Sequence, residues 1–200
     1  KTFSIKLNRK NMILNIFENQ TFIEDMGLKN NASLFTFTSD TKKKPMNIVF
    51  GNIYNHKVFD LFEFEVTNFI PQSEFHVFKE IEVNSLPVLV FIGELFETNK
   101  SFERFKTYMI DFYKQDSIEE VTIDDLKRVI AFTATESENI KIRHFQVLNV
   151  SEYSINNLNI QEIGPSFDLQ SRKIQISSED DFKKACKKPK MLNKSNKDKI

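Results

Sequence analysis

Cysteine, tryptophan, glycine and histidine are all scarce here: one Cys, no Trp, four Gly and three His in 200 residues. A lone Cys186 closes no internal disulfide and finds no second thiol for a zinc site, which fits a reducing compartment such as the nucleus or cytosol. So few glycines leave no Gly-rich loop to cradle phosphates. His56, His76 and His144 stand far apart, outside any His-x-x-x-His or Cys-x-x-Cys spacing. Neither a metal site nor an activated nucleophile is written in these residues. Long apolar runs are also missing: the stretch 86–92 falls far short of the roughly 18 residues of a membrane span. No pattern of charge, apolar stretch and small-residue cleavage site marks a signal peptide. The first residue is Lys1 rather than Met, so a further N-terminal segment is expected.

What is abundant is phenylalanine, 21 residues within a 40% hydrophobic chain, enough to build the core of one sizeable domain or two small lobes. The formal net charge is zero, yet the charges are segregated. Residues 183–200 hold eight lysines against the single acid Asp198, so of 28 cations and 28 anions the body keeps 20 and 27. An acidic body with a basic tail is the pattern of a polyanion binder, nucleic acid above all, although a merely solubilising tail has the same composition.

Periodicity predicts a mixed α and β chain. Alternation marks strands at 3–7, 33–38, 47–51 and 58–66, with a helix near 21–28 and a charged loop at 40–45. Residues 71–83 read as irregular or weakly helical. The continuous apolar run 87–92 reads as a strand buried on both faces, ended by Gly93. Residues 101–113 place Phe102, Phe105, Met109 and Phe112 on one helical face, with Glu103, Arg104, Lys106 and Lys114 outside. Further strands are expected at 121–123, 129–133, 140–147 and 158–163. Ser177 or Ser178, followed by Glu179, Asp180 and Asp181, caps a helix that Pro189 stops.

Two constellations could carry chemistry. The acids Asp111, Asp116, Glu119, Glu120, Asp124 and Asp125 could in principle hold Mg²⁺ for phosphodiester chemistry, but they spread over a helix end and a turn, and a solvated face or a dock for a basic partner explains them as well. The cations are more coherent. Lys42, Lys43 and Lys44 precede Pro45, Lys141 and Arg143 share an alternating strand, and Arg172 and Lys173 follow the Gly164-Pro165 pair, which reads as a turn returning to an extended path. Lys183, Lys184, Lys187, Lys188 and Lys190 open the tail. Gathered on one face, these groups would make an RNA-backbone surface with little base specificity.

The words Asn31-Ala-Ser-Leu-Phe35, Lys42-Lys-Lys-Pro45, Gly51 with Tyr54, His56-Lys57, Asp60 and Glu63, then Leu86-Pro87, Gly93-Glu94, Asp111-Phe112, Phe132-Thr133, Arg143 and Glu162-Ile163-Gly164-Pro165-Ser166 recur in an order that resembles the ribosome production factor 2 branch of the Brix-domain family. The resemblance implies an α+β fold of two similar sheet-and-helix halves: a Brix domain over 1–176, with halves at about 1–100 and 101–176, and a basic helix and tail over 177–200. A further strand and helix would precede the first residue. Gly51, Gly93, Gly164 and Pro165 would be structural. It implies a non-enzymatic factor of large-subunit assembly, without cofactor, membrane or small-molecule substrate, working in the nucleolus. Its partners would be 5S rRNA and pre-60S rRNA, the regulator of ribosome synthesis, and the ribosomal proteins of the 5S particle. An adaptor that binds only proteins is the alternative. The chain departs from the family at Gly51-Asn52, where an arginine is usual, at Asp125, where a small turn residue is usual, and at Lys173, which replaces the second arginine of a pair and lacks its bidentate fork.

Overall fold

The computed structural model describes residues 4–7, 15–76, 87–113, 127–149 and 159–187. Their elements are α1 (Thr21–Asn30), β1 (Leu34–Ser39), β2 (Asn47–Tyr54), β3 (Lys57–Ile70), β4 (Val88–Ile92), α2 (Leu95–Thr98), α3 (Lys100–Tyr113), β5 (Arg128–Ala134), β6 (Asn139–Asn149), β7 (Asn159–Glu162), β8 (Ser166–Gln175) and α4 (Glu179–Ala185). A single sheet orders its strands β1-β2-β3-β8-β6-β5-β4, with β7 pairing β6. Every pairing is antiparallel except that of β4 with β5. β8, late in sequence, seats itself against β3 and so joins the strands β1 to β3 to those that follow β4 in one sheet.

Alternation decides which face of the sheet each residue serves. Phe62 and Phe64 on β3, Phe50 on β2, Ile130 and Phe132 on β5, Ile140 and Ile142 on β6 and Leu169 on β8 point to one side, where Phe102, Phe105, Tyr108 and Met109 of α3 meet them. The rings pack edge to face, with Phe64 and Phe105 centroids 5.0 Å apart and Phe62 and Phe105 5.5 Å apart, the arrangement aromatic quadrupoles favour. On the opposite side Val49 and Leu61 meet Ile16, with Phe17 and Ile23 beside them. Asn55 and His56 both take positive φ in the two-residue turn between β2 and β3, the backbone a tight hairpin requires.

Several expectations are corrected here. Residues 4–7 pair with no strand among the described residues, and Ile5 and Leu7 are exposed. The apolar run of β4 is not buried on both faces: Leu89 and Phe91 turn toward α3, whereas Val88, Val90 and Ile92 are exposed. An edge strand whose outer face is uncovered among the described residues keeps only one buried side. Phe112 is 46% exposed, and Arg104, expected outside α3, is 4% exposed because α4 lies over it. Gly164-Pro165 is a break in a strand and not a reversal. β7 and β8 both run antiparallel along β6, separated only by Ile163, Gly164 and Pro165. The expected strand at 121–123, part of 71–83 and Pro189 fall outside the described residues.

Candidate nucleic-acid interface

Lys42 to Lys44 lie in the turn between β1 and β2, closed by mutual backbone bonds of Thr41 and Lys44. Lys42 and Lys43 are exposed and have no partner among the described residues. Lys44 reaches back instead, donating to both carboxylate oxygens of Glu63 at 2.7 and 2.9 Å. Strand register extends this pair into a network. Asn47 of β2 stands opposite Glu65 of β3, and an irregularity at Arg172 lets that side chain reach both. Asn47 donates to Glu63 at 3.1 Å and accepts from Arg172 Nη1 at 2.8 Å, while Arg172 Nη2 pairs with Glu65 at 2.8 Å. Lys173 lies directly opposite Glu63 in the register and holds its ammonium 4.5 Å from the Phe17 ring centroid.

Arg143 faces the same side of the sheet, since Ile140 and Ile142 point to α3. Its Nη1 donates to the carbonyls of Ile142 and Phe167, and its Nη2 pairs with Asp168 at 2.8 Å. Burial opposes ionisation of Asp168, but hydrogen bonds from Asn68 and Arg143 win, with Lys141 adding to the field, and its pKa falls below the usual carboxylate value. Three of the expected RNA-binding cations, Lys44, Arg143 and Arg172, are thus committed to ion pairs that tie strands together. An ion pair does not remove a cation from use, yet an incoming phosphate must compete with a carboxylate already in place.

The remaining lysines sit elsewhere. α4 starts at Ser178, whose Oγ accepts from the amide of Asp181, and packs against α3 on the other side of the sheet. Lys184 pairs with Asp181 at 2.9 Å, and Lys183 and Lys187 are exposed. The fold therefore gathers Lys44, Arg143, Arg172 and Lys173 on one face and holds Lys183 and Lys184 on the other. Lys188 and Lys190 lie outside the described residues.

The expected structural glycines are tightly placed. A Cβ at Gly51 would strike the Phe35 ring, and Gly93 and Gly164 take φ of +115° and +60°. Asn52, at the position where the family usually has an arginine, accepts from the amide of Asp60 at 2.7 Å. Asp60 is 2% exposed and accepts the amide of Ser177 at 2.8 Å, fixing the entry to α4. Sequence reasoning overlooked the structural work of Asp60, Glu63 and Arg104. Carboxylates inside the apolar pattern of β3 were the signal for the first two; nothing local distinguished Arg104.

Of the acids considered for Mg²⁺, Asp111 is exposed on α3 and the others lie outside the described residues. Among the described residues no group of three or more His, Cys, Asp or Glu side chains could hold a metal ion, and no helix is long and apolar enough to cross a membrane. His56 and His76 are exposed. His144 lines an apolar cavity of about 320 Å³ beside Met109, Phe112 and Tyr113.

Comparison with known proteins matches this architecture. The Brix domain model covers residues 1–173. The chain is similar to the ribosome production factor 2 homolog of Drosophila melanogaster, 35% identical over 93% of this chain and 58% of that one. It is 32% identical to the homolog of Homo sapiens over its whole length and 65% of that protein. The homolog of Caenorhabditis elegans is 30% identical over 97% of the chain and 65% of the relative. The chain thus spans about three fifths of the length of these relatives. With a domain match over nearly all of its length, one welded α+β sheet and the ordered words of the sequence in agreement, the chain belongs to the Brix-domain family.

Proposed function

We propose that this chain is a non-enzymatic factor of large ribosomal subunit assembly that binds 5S rRNA and a partner assembly factor and helps incorporate the 5S ribonucleoprotein into pre-60S particles. The observation that carries the reading is its continuous similarity to proteins named ribosome production factor 2 homologs. In this role it works in the nucleolus with pre-60S rRNA, the regulator of ribosome synthesis and the ribosomal proteins of the 5S particle. RNA contact falls first to cations without partners among the described residues, Lys42, Lys43 and Lys187, and to the lysines beyond them; Lys44, Arg143, Arg172 and Lys173 shape the adjoining surface. Such contacts read the phosphate backbone and not base identity.

A second reading, a protein-binding adaptor without direct RNA contact, draws on the same geometry: the strand-tying ion pairs already neutralise much of the expected basic face, and among the described residues β4 leaves an edge that a partner strand can extend. Co-expression with the partner, followed by pull-down across a salt series, separates them. Retention of 5S rRNA over bulk RNA that falls steeply with salt supports the first reading. Retention of the partner alone at every salt concentration supports the adaptor.

A further inference from the structure

Arg104 is the deeply buried cation of α3, and its environment is incomplete. Its side chain is 3% exposed, its two terminal nitrogens are buried, and neither makes a hydrogen bond among the described residues. The carboxylate of Glu179 on α4 is 3.6 Å from Nη2, and Lys100 approaches the same carboxylate at 3.4 Å. What covers the guanidinium is the ring of Phe182, 3.0 Å from Cζ to centroid. A guanidinium has five donors in a planar fork, and burying them unpaired is costly.

The cover itself is slight. α4 has seven residues, none of them buried, and Phe182 is only half-buried. A helix this short has little stability apart from its contacts. Its first turn carries Glu179, Asp180 and Asp181, its last turn carries Lys183 and Lys184, and the chain continues into lysines. A polyanion that engages those lysines pulls on the helix that shields Arg104.

Chemically, the cover imitates a nucleotide. A carboxylate stands near the guanidinium nitrogens where a phosphate would sit, and the guanidinium carbon lies over an aromatic ring where a base would stack. We propose that Arg104, with Lys100, is a second RNA site masked by α4: when the tail engages RNA, α4 lifts, a phosphodiester replaces the Glu179 carboxylate, and an unpaired base replaces the Phe182 ring. This rests on the RNA-binding reading and adds to it a single-stranded, stacking contact on the side of the sheet away from Arg172 and Lys173. Arginine suits it better than lysine, because only the planar fork both stacks and pairs.

The test uses the full chain and a single-stranded oligoribonucleotide, with affinity measured against salt. Opening the cover with Glu179→Gln and Phe182→Ala is expected to tighten binding about tenfold through the stacked base and to steepen the log–log salt slope by about 0.7 for the added phosphate. Arg104→Met in the opened chain should abolish both gains and leave the melting temperature of the opened chain unchanged, since the uncovered guanidinium has already lost Glu179 and Phe182 as partners. Arg104→Lys should keep the slope and lose the stacking gain. Unchanged affinity on opening, with wild-type binding intact, overturns the masked site and leaves the RNA-binding reading standing. Absence of RNA binding by wild-type and opened chains alike removes both. A gain for acidic peptide and none for RNA overturns the proposal in favour of a protein ligand.

Discussion

The break between β7 and β8 is set by single residues. Gly164 takes φ of +60° and would press a Cβ into the Phe75 ring, so Gly164→Ala carries a left-handed penalty plus a steric one. It should lower the unfolding free energy by about 2 kcal/mol or more, read from urea midpoints. His144 holds the same break. Its Nδ1–H donates to the Gly164 carbonyl at 2.8 Å, and its Nε2 is buried without a partner among the described residues. Burial lowers its pKa from the ordinary 6.5, the hydrogen bond to Gly164 opposes this, and the Arg128 charge adds to the lowering. The unfolded chain therefore takes up the proton first. The His144 contribution is complete above about pH 6.5 and is lost as pH falls toward the folded pKa. Melting temperature measured from pH 7.5 to 5 should fall in the wild type and fall less in His144→Gln. A slope equal in both would assign the acid sensitivity to other groups. Tyr108, pushed up to about 12 by burial and donating to the Phe35 carbonyl, stays neutral throughout this range.

At the scale of elements, β4 is one end of the sheet among the described residues. Its Val88, Val90 and Ile92 are 39%, 38% and 50% exposed, and an apolar edge strand of this kind templates self-association. Val90→Lys should reduce oligomers seen by light scattering at raised concentration, with a stability change within about 0.5 kcal/mol. Unaltered association would place the sticky surface elsewhere. The element types were legible in the sequence: the alternation of β1 to β3, the Phe and Met stripe of α3 and the Ser-acid start of α4 all follow from local periodicity and capping. Burial of β4 was misread because an apolar run reports what a strand can bury and not where in the sheet it lies.

At the scale of the molecule, the cations divide into those that build the sheet and those that remain available. Lys42→Gln with Lys43→Gln should leave stability unchanged and flatten the log affinity versus log salt slope by roughly 0.7 to 0.9 for each phosphate no longer neutralised. Arg172→Gln should do the reverse, losing roughly 1 to 3 kcal/mol of stability as Glu65 and Asn47 give up their shared partner, with the slope little changed. Salt-dependent RNA binding and denaturation of the same two variants check both halves, and a flattened slope in Arg172→Gln would return that residue to the interface.

Composition, periodicity and ordered words were enough, by themselves, to determine an α+β chain, its family, the positions of most elements and the segregation of charge toward the tail. These are properties of local spacing and identity, which neighbours along the chain fix. Only the tertiary structure decided which cations are spent on Glu63, Glu65 and Asp168, that Gly164-Pro165 interrupts a strand, and that Arg104 lies beneath Phe182. Each depends on residues far apart in sequence meeting across strands or helices, and an ion pair formed that way leaves no mark on the charge pattern of either segment.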